Sequence, residues 1–265
     1  MDDAFALLRL QVEWGADEAI DADPIDRLRP VEARPAAAQR LAPVARPLPV
    51  PAAGPAAEPR RGTAAEQALG VAGQAASLDE LRAALAEFDG CALRDTASNL
   101  VFAEGNPAST TLVIGEPPGR EEDRSGHPFA GAEGQLLDQM LASISLTRAE
   151  LMLAPLLPWR PPGGRPPSPM EIAVCLPFLH RLIALLKPAR IVLFGATASR
   201  VVVGQTVNRR RNPRVWVLTN ITGMSSALPA LVLPGLAEML KNPLLRRDAW
   251  AGLRLLRRTI DQAPT

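Results

Sequence analysis

Residues 111–137, TLVIGEPPGREEDRSGHPFAGAEGQLL, decide the reading of this chain. They open on Leu112-Val113-Ile114, a short apolar run of the kind that forms a buried strand. The run stops at Gly115-Glu116-Pro117-Pro118-Gly119, because two prolines fix φ and withhold N–H groups, so neither strand nor helix continues. Acids follow, then Pro128-Phe129 and a glycine-rich approach to an amphipathic helix expected from Glu133. Strand, loop and helix form the unit of an α/β sheet, and ligands in such sheets bind at the carboxyl ends of the strands. Glu116 and Phe129 therefore stand where a planar ligand can be stacked on a ring and met by a carboxylate. Each has a structural alternative: Glu116 as a strand-end carboxylate capping a backbone N–H, Phe129 as a core aromatic after a tight turn.

Working outward, the spacing predicts strands at residues 151–157, 190–194, 215–218 and 231–233, and helices at 133–144, 169–186, 197–203 and 245–260. Alternating strands and helices predict an α/β fold, a three-layer sandwich with a mainly parallel central sheet of about four strands. Ser77, followed by Leu78-Asp79-Glu80, reads as a helix N-cap with acids in the first turn, and opens a domain over residues 77–265. Nine of the 27 prolines lie between Pro24 and Pro59 in an Ala/Pro/Arg-rich stretch without hydrophobic periodicity. Such a stretch buries too little to offset its ordering entropy, which predicts a disordered linker over residues 21–76. Before it, Leu7, Leu8, Leu10, Val12 and Trp14 suit an N-terminal helix within residues 1–20, docked on its own domain or on a partner protein.

Composition narrows the function classes. A net charge of +1 gives no global pull toward nucleic acid, so such binding has to come from local basic patches. Two cysteines, Cys91 and Cys175, exclude a disulfide-stapled scaffold and fit a reducing compartment. The acidic N-terminus lacks a basic leader, and no apolar run is expected to reach membrane-spanning length, so a cytoplasmic protein is expected. No P-loop or dinucleotide fingerprint supports a nucleotide-binding module.

The motifs, taken together, carry a resemblance. They are Val101-Phe102-Ala103-Glu104-Gly105-Asn106-Pro107, Gly115-Glu116-Pro117-Pro118-Gly119, Glu122-Asp123, Gly126-His127-Pro128-Phe129 and Gly134-Gln135-Leu136-Leu137-Asp138. Further on come Arg160-Pro161-Pro162-Gly163-Gly164-Arg165 and Glu171-Ile172-Ala173-Val174-Cys175. From about Leu81 to Arg258 the chain resembles the uracil-DNA glycosylase superfamily, and within it the bacterial and archaeal family 4 enzymes that carry an iron–sulfur cluster. The resemblance implies a base flipped out of DNA at a cost of a few kcal/mol and recaptured in a pocket. Phe129 would stack the uracil, with Gly115, Pro117, Pro118 and Gly119 as the backbone wall. Glu116 would be catalytic, stabilising a sugar of oxocarbenium character or orienting the attacking water.

Departures from the family pattern bear on each part of that expectation. Pro155 stands where the family has a base-reading Asn, and Leu233 is the expected position of a His that steadies charge on the leaving uracil. Losing a donor aimed at developing charge typically costs ~10²–10³ in rate, so the resemblance implies a DNA N-glycosylase of impaired activity. The 4Fe-4S cluster needs four cysteines, and here only Cys91 and Cys175 remain, with Arg94 and Trp159 at the other two positions. The expectation is a vacated cluster site, refilled by Trp159 and Arg94 through apolar and cation–π contacts. Arg160 and Arg165, flanking a Pro-Gly loop, and the basic run Arg209-Arg210-Arg211 are the expected contacts to DNA. Two functions remain open: a repair glycosylase acting on uracil or another deaminated base, near the nucleoid, or an inactive glycosylase-fold protein that binds DNA or, through the N-terminal helix, a repair partner.

Overall fold

Leu112-Val113-Ile114 forms an inner strand of a six-stranded sheet in a computed structural model of the chain, which describes residues 63–204 and 215–262. The first half of the chain order is α1 (Ala64–Gln74), α2 (Leu78–Glu87), α3 (Leu93–Thr96), β1 (Glu104–Gly105), β2 (Thr111–Ile114), α4 (Arg120–Ser125), α5 (Gly131–Ala142) and β3 (Met152–Ala154). The second half is α6 (Pro169–Leu186), β4 (Arg190–Phe194), α7 (Ala196–Val203), β5 (Trp216–Thr219), β6 (Leu228–Leu233), α8 (Leu236–Lys241) and α9 (Leu244–Asp261). The strands lie in the order β1-β3-β2-β4-β6-β5. The inner four are parallel, as the alternating sequence pattern requires. The expected count of about four falls short, because an antiparallel strand is added at each edge. β1 is two exposed residues, too short and polar to give an apolar signal. β5 was expected among the strands but not as an antiparallel one, and its Leu218 is 70% exposed.

Alternation within each strand divides the core into two layers. Leu112 and Ile114 of β2, Ile191 and Leu193 of β4, and Ala230 and Val232 of β6 pack with side chains of α1, α2, α6 and α7. Val113, Val192, Phe194, Leu231 and Leu233 face the other way, onto α5, α8 and α9. Both faces of the sheet are covered, which is why its central strands β2 and β4 are apolar at every position after the first, Thr111 and Arg190. Burying each such side chain contributes about 1.5–3 kcal/mol.

α6 is the backbone of one layer. Ser168 accepts the Glu171 N–H at 3.2 Å while the Glu171 carboxylate accepts the Ser168 N–H at 2.7 Å, a capping box with Pro169 in the first turn. Its 18 residues have a mean hydropathy of 1.6, long and apolar enough by those measures to cross a membrane, contrary to the expectation from sequence. Here that apolarity serves the core: Val174, Cys175, Phe178, Leu179, Leu182 and Ile183 are buried among sheet and helix side chains.

α1 corrects the expected linker. Residues 64–74 form a helix with a capping box between Thr63 and Glu66, and Ala68 and Ala72 are buried in the same layer as α6. Arg181 of α6 donates from Nε and Nη2 to the Ala75 carbonyl at 2.8 and 2.6 Å, tying down the end of α1. Small alanines permit close helix packing without the periodic large side chains that mark a helix in sequence. The expected helix in residues 1–20 and the linker to residue 62 lie outside the described residues.

Strand order fixes where a ligand can enter. From β2 the chain moves to β3 on one side, then crosses to β4 on the other and continues to β6. The crevice between the carboxyl ends of β2 and β4 is thus a topological switch point, where open α/β sheets bind ligands.

Candidate active site at the strand carboxyl ends

Both strands bordering the crevice run into glycine. The Gly115 N–H donates to the Ala154 carbonyl and the Gly195 N–H to the Leu233 carbonyl, each at 3.0 Å, so the ladder continues one residue past β2 and β4. Glu116 then reaches across the crevice, and its Oε1 accepts the Thr197 N–H at 2.8 Å. Thr197 is the second residue of α7, whose N-cap Gly195 has no side chain to cap it. Glu116 supplies that cap from another element. The approach requires glycine at 195: its φ is +102°, and a Cβ there would lie 2.0 Å from Glu116 Oε1. The capping role raised from sequence is therefore real, and it fixes the carboxylate at the mouth of the crevice.

Phe129 is held by strain. Its φ of +53° lies in the left-handed region, which costs a non-glycine residue on the order of 1–3 kcal/mol. Arg148 donates from Nη2 to the Phe129 carbonyl at 2.8 Å, and is itself paired with Asp138. Gly134 allows that carbonyl to sit on α5, since a Cβ at 134 would lie 1.8 Å from it. So fixed, the ring covers Gly115, where an added Cβ would meet its Cζ at 2.8 Å. Ring and carboxylate thus flank consecutive residues of one strand end. Arg148 is not legible in sequence as a support of Phe129, because it lies 19 residues away and outside every motif; Asp138 sits in a motif whose spacing does not show that it pairs with Arg148.

Glu116 and Phe129 line one cavity, of about 390 Å³ including its open mouth, together with Gly115, Pro117, Pro118 and Gly119. Glu122, Pro128, Glu133, Pro155, Phe194 and Leu236 complete it. Pro155 does face this space, so a side-chain amide is missing from the cavity wall. Leu233 does not. Alternation along β6 turns it into the core, fully buried under α9, where a Cβ added to Gly252 would meet its Cδ2 at 2.4 Å. The expected His position is therefore misplaced: the segment reaches the cavity through Leu236, and the adjoining groove through Gly235.

Among the lining side chains only Glu116, Glu122 and Glu133 carry polar atoms. Glu122 accepts the Gly119 N–H at 3.0 Å and closes the Pro-Pro-Gly loop. Glu133 sits half-buried in the first turn of α5, and sequence reading took it only as a helix start. Burial raises its carboxyl pKa, and the charges of Glu122 and Glu116 raise it further. A hydrogen bond from the Ala237 backbone and the charge of Lys241 oppose the shift.

Outside the cavity, an open groove of about 920 Å³ shares Glu116, Pro117, Pro118, Gly119 and Glu133 with it and extends over Thr197, Gly235 and Arg165. Arg165 is not a free cation: its Nη1 and Nη2 grip the Glu171 carboxylate at 2.9 and 2.5 Å. That grip holds the Glu171 carboxyl down to about 2. Arg160 is half-buried and is not among the groove-lining residues; its buried Nε has no hydrogen-bond partner among the described residues. Arg209, Arg210 and Arg211 lie outside the described residues.

Cys91 and Cys175 are brought together, Sγ to Sγ at 3.7 Å, and both are buried. The contact lowers the pKa of Cys91 to about 7 and, with burial, raises that of Cys175. Trp159 is 3% exposed and packs in the same layer. Arg94 instead donates from Nη1 to the Glu87 carbonyl at 3.1 Å, and the cation–π contact among the described residues joins Arg254 and Trp250 at 4.9 Å. His127 is exposed and bonded to Glu104 at 3.0 Å, while His180 is half-buried on α6 with its pKa lowered by burial. Two thiols beside an indole do not fit a four-thiolate cluster, and among the described residues no three His, Cys, Asp or Glu side chains are grouped to hold a metal.

A doubly covered parallel sheet with an aromatic ring and a carboxylate at its switch-point crevice is the architecture of an α/β ligand-binding or catalytic domain. Residues 102–254 match the family model described as the uracil DNA glycosylase superfamily. A type-4 uracil-DNA glycosylase of Archaeoglobus fulgidus is 38% identical over 126 residues, covering 48% of this chain and 63% of the relative. One from Pyrobaculum aerophilum is 34% identical over 126 residues, covering 48% and 64%. One from Thermotoga maritima is 38% identical over 131 residues, covering 48% and 68%. The chain belongs to the uracil DNA glycosylase superfamily, in its type-4 branch. It spans a little under two thirds of the length of the first two of these relatives.

Proposed function

We propose that this protein is a DNA N-glycosylase that removes uracil, or another deaminated base, flipped out of DNA into the cavity beside β2. The observation that carries the reading is the shared cavity of Phe129 and Glu116 at the switch-point crevice. A base entering it stacks on the Phe129 ring, whose position is fixed by the Arg148 bond and the left-handed backbone. Pro117, Pro118 and Gly119 bound the space beside the sugar and exclude water from it.

The glycosidic C1′–N1 bond breaks with its electron pair leaving on the base, and positive charge develops on the sugar. Glu116, anchored through Oε1, sets its carboxylate beside that centre and orients the water whose oxygen bonds to C1′. The water's proton ends on the departing base. Preorganisation matters here: a carboxylate already bonded to a helix N-terminus need not reorganise as charge develops.

Pro155 removes one donor to the base, which predicts a slow enzyme. DNA is the proposed partner through the groove over Thr197 and Gly235, and a repair protein through residues 1–20 is a further proposal. A second reading, binding of DNA without catalysis, is favoured by the capping role of Glu116, which gives that residue a purpose independent of chemistry. The full chain assayed on single- and double-stranded oligonucleotides bearing uracil, hypoxanthine or xanthine separates the two. Base release that Glu116→Gln abolishes, with folding intact, supports the glycosylase. DNA binding with no release of any base supports the second reading.

A further inference from the structure

We propose that Glu133, in its protonated form, is the residue that reads the edge of the base in this cavity, donating from its carboxyl O–H to a base carbonyl while its other oxygen accepts a base N–H. The inference rests on the glycosylase reading and deepens it. Uracil presents carbonyl oxygens, which need donors, and an N–H, which needs an acceptor. Pro155 offers neither, and among the described residues no amide, hydroxyl or imidazole side chain lines the cavity. A neutral carboxyl carries the same donor and acceptor pair as a carboxamide, with nearly the same shape.

Of the three carboxyl groups in the cavity, Glu133 is the one placed to keep its proton. Glu116 accepts the Thr197 N–H at 2.8 Å and Glu122 accepts the Gly119 N–H at 3.0 Å, so each is already engaged in holding the backbone of the site. Three carboxylates around one small space repel one another, and the repulsion is relieved by protonating one of them. Glu133 faces Glu122 on α4, Glu116 at the end of β2, and Ala237 and Lys241 on α8. The first two and burial hold the proton on, and the α8 groups weaken that hold without reversing it. Its position in the first turn of α5, four residues after Phe129, ties the edge reader to the stacking ring through one short segment.

The test uses the full chain as wild type, Glu133→Gln and Glu133→Ala, from about pH 5 to about pH 8.5, a span that brackets a raised carboxyl pKa. Uracil release is measured alongside binding of an oligonucleotide carrying 2′-fluoro-deoxyuridine, which resists cleavage, against its thymidine counterpart. Wild-type release and analogue binding should strengthen as pH falls. Glu133→Gln, holding the donor at every pH, should lose that dependence and match or exceed wild type at the alkaline end. Glu133→Ala should lose roughly 10²-fold or more in release at the acidic end. A wild-type pH profile retained by Glu133→Gln, or Glu133→Ala as fast as wild type with both variants folded, overturns the proposal. If no variant releases any base, the glycosylase reading fails but the binding arm still decides Glu133: acid-strengthened, analogue-specific binding lost in Glu133→Ala supports it, and pH-independent or absent analogue binding overturns it.

Discussion

The β2 loop and the cysteine pair both carry family-like sequence, yet the two regions have been built in opposite ways. Around Phe129 and Glu116 the backbone is under strain and glycines at 115, 134 and 195 allow contacts that any Cβ would forbid. Around Cys91 and Cys175 no residue is left-handed, and the one close glycine contact, Gly90 under the Phe88 ring, is with an apolar side chain; both thiols and Trp159 are part of an apolar layer. Strain persists only where surrounding structure over-determines it, and it marks places where position matters more than packing. A site that needs its ligands in fixed geometry would look like the first region. A site that has become core looks like the second.

The sharpest way to break this contrast is to truncate one aromatic from each region. Trp159→Ala empties a fully packed position and should cost about 3–5 kcal/mol, read as a lowered urea midpoint, while the folded fraction keeps its specific activity. Phe129→Ala should cost less stability, because the ring borders an open cavity, but it should abolish selective binding of the uracil analogue. If the two variants lose stability and binding in the same proportion, the regions do not differ in kind.

Gly195→Ala probes the contact that joins the two central strands. The added methyl collides with the Glu116 carboxylate, and alanine disfavours a φ of +102°. A loss of about 1–3 kcal/mol is expected, together with a fall in base release like that of Glu116→Gln, because one variant moves the carboxylate charge and the other removes it. Base release unchanged in Gly195→Ala would show that the carboxylate's fixed position is irrelevant to the chemistry.

How much of this was legible in sequence follows from which forces leave local marks. β2 could be read because a strand buried on both faces must be apolar throughout, and the proline loop after it because proline acts on its own neighbours. Glu116 and Phe129 followed from that loop. α1 was hidden because its buried face is alanine, which marks no period. β1 was hidden because an edge strand of two residues takes its structure from its partner β3. Leu233 was misassigned because motif spacing does not reveal which way a strand residue points; pairing of β6 with β4 and packing under α9 decide it. Glu133 was passed over because a glutamate in a first helical turn has an ordinary explanation, and only the fold brings Glu122 and Glu116 beside it.

A smaller effect is expected at the rim. Arg165 was expected to meet DNA, yet it holds Glu171, whose carboxyl is lowered from the ordinary 4.5 to about 2, chiefly by that guanidinium. A carboxyl whose folded pKa is depressed contributes stability above its unfolded value and loses it as pH falls through the folded one. Arg165→Ala should therefore leave stability near neutral pH slightly reduced and flatten its decline between pH 4.5 and about 2, measured by thermal melts across that range. The Ser168 bonds to Glu171 remain in that variant, so part of the acid dependence survives. An unchanged acid limb would show that Arg165 is held by something other than this pair, and would return it to the candidates for DNA contact.

The smallest expected effect is none at all, and it concerns iron. Were the cysteine region still a metal site, its stability would be linked to metal binding, and chelation would lower the melting temperature. The side chains argue against this. Cys91 and Cys175 satisfy each other at 3.7 Å, Trp159 occupies packed volume, and Arg94 is bonded to the Glu87 carbonyl. Protein purified without oxygen should therefore be colourless, bind no stoichiometric iron after incubation with iron and sulfide, and melt at the same temperature with or without chelator. Near four irons per chain, with a chelator-sensitive melt, would mean that the region is a functional centre like the first, with ligands beyond the two thiols. The contrast between the strained pocket and the repacked core would then fall.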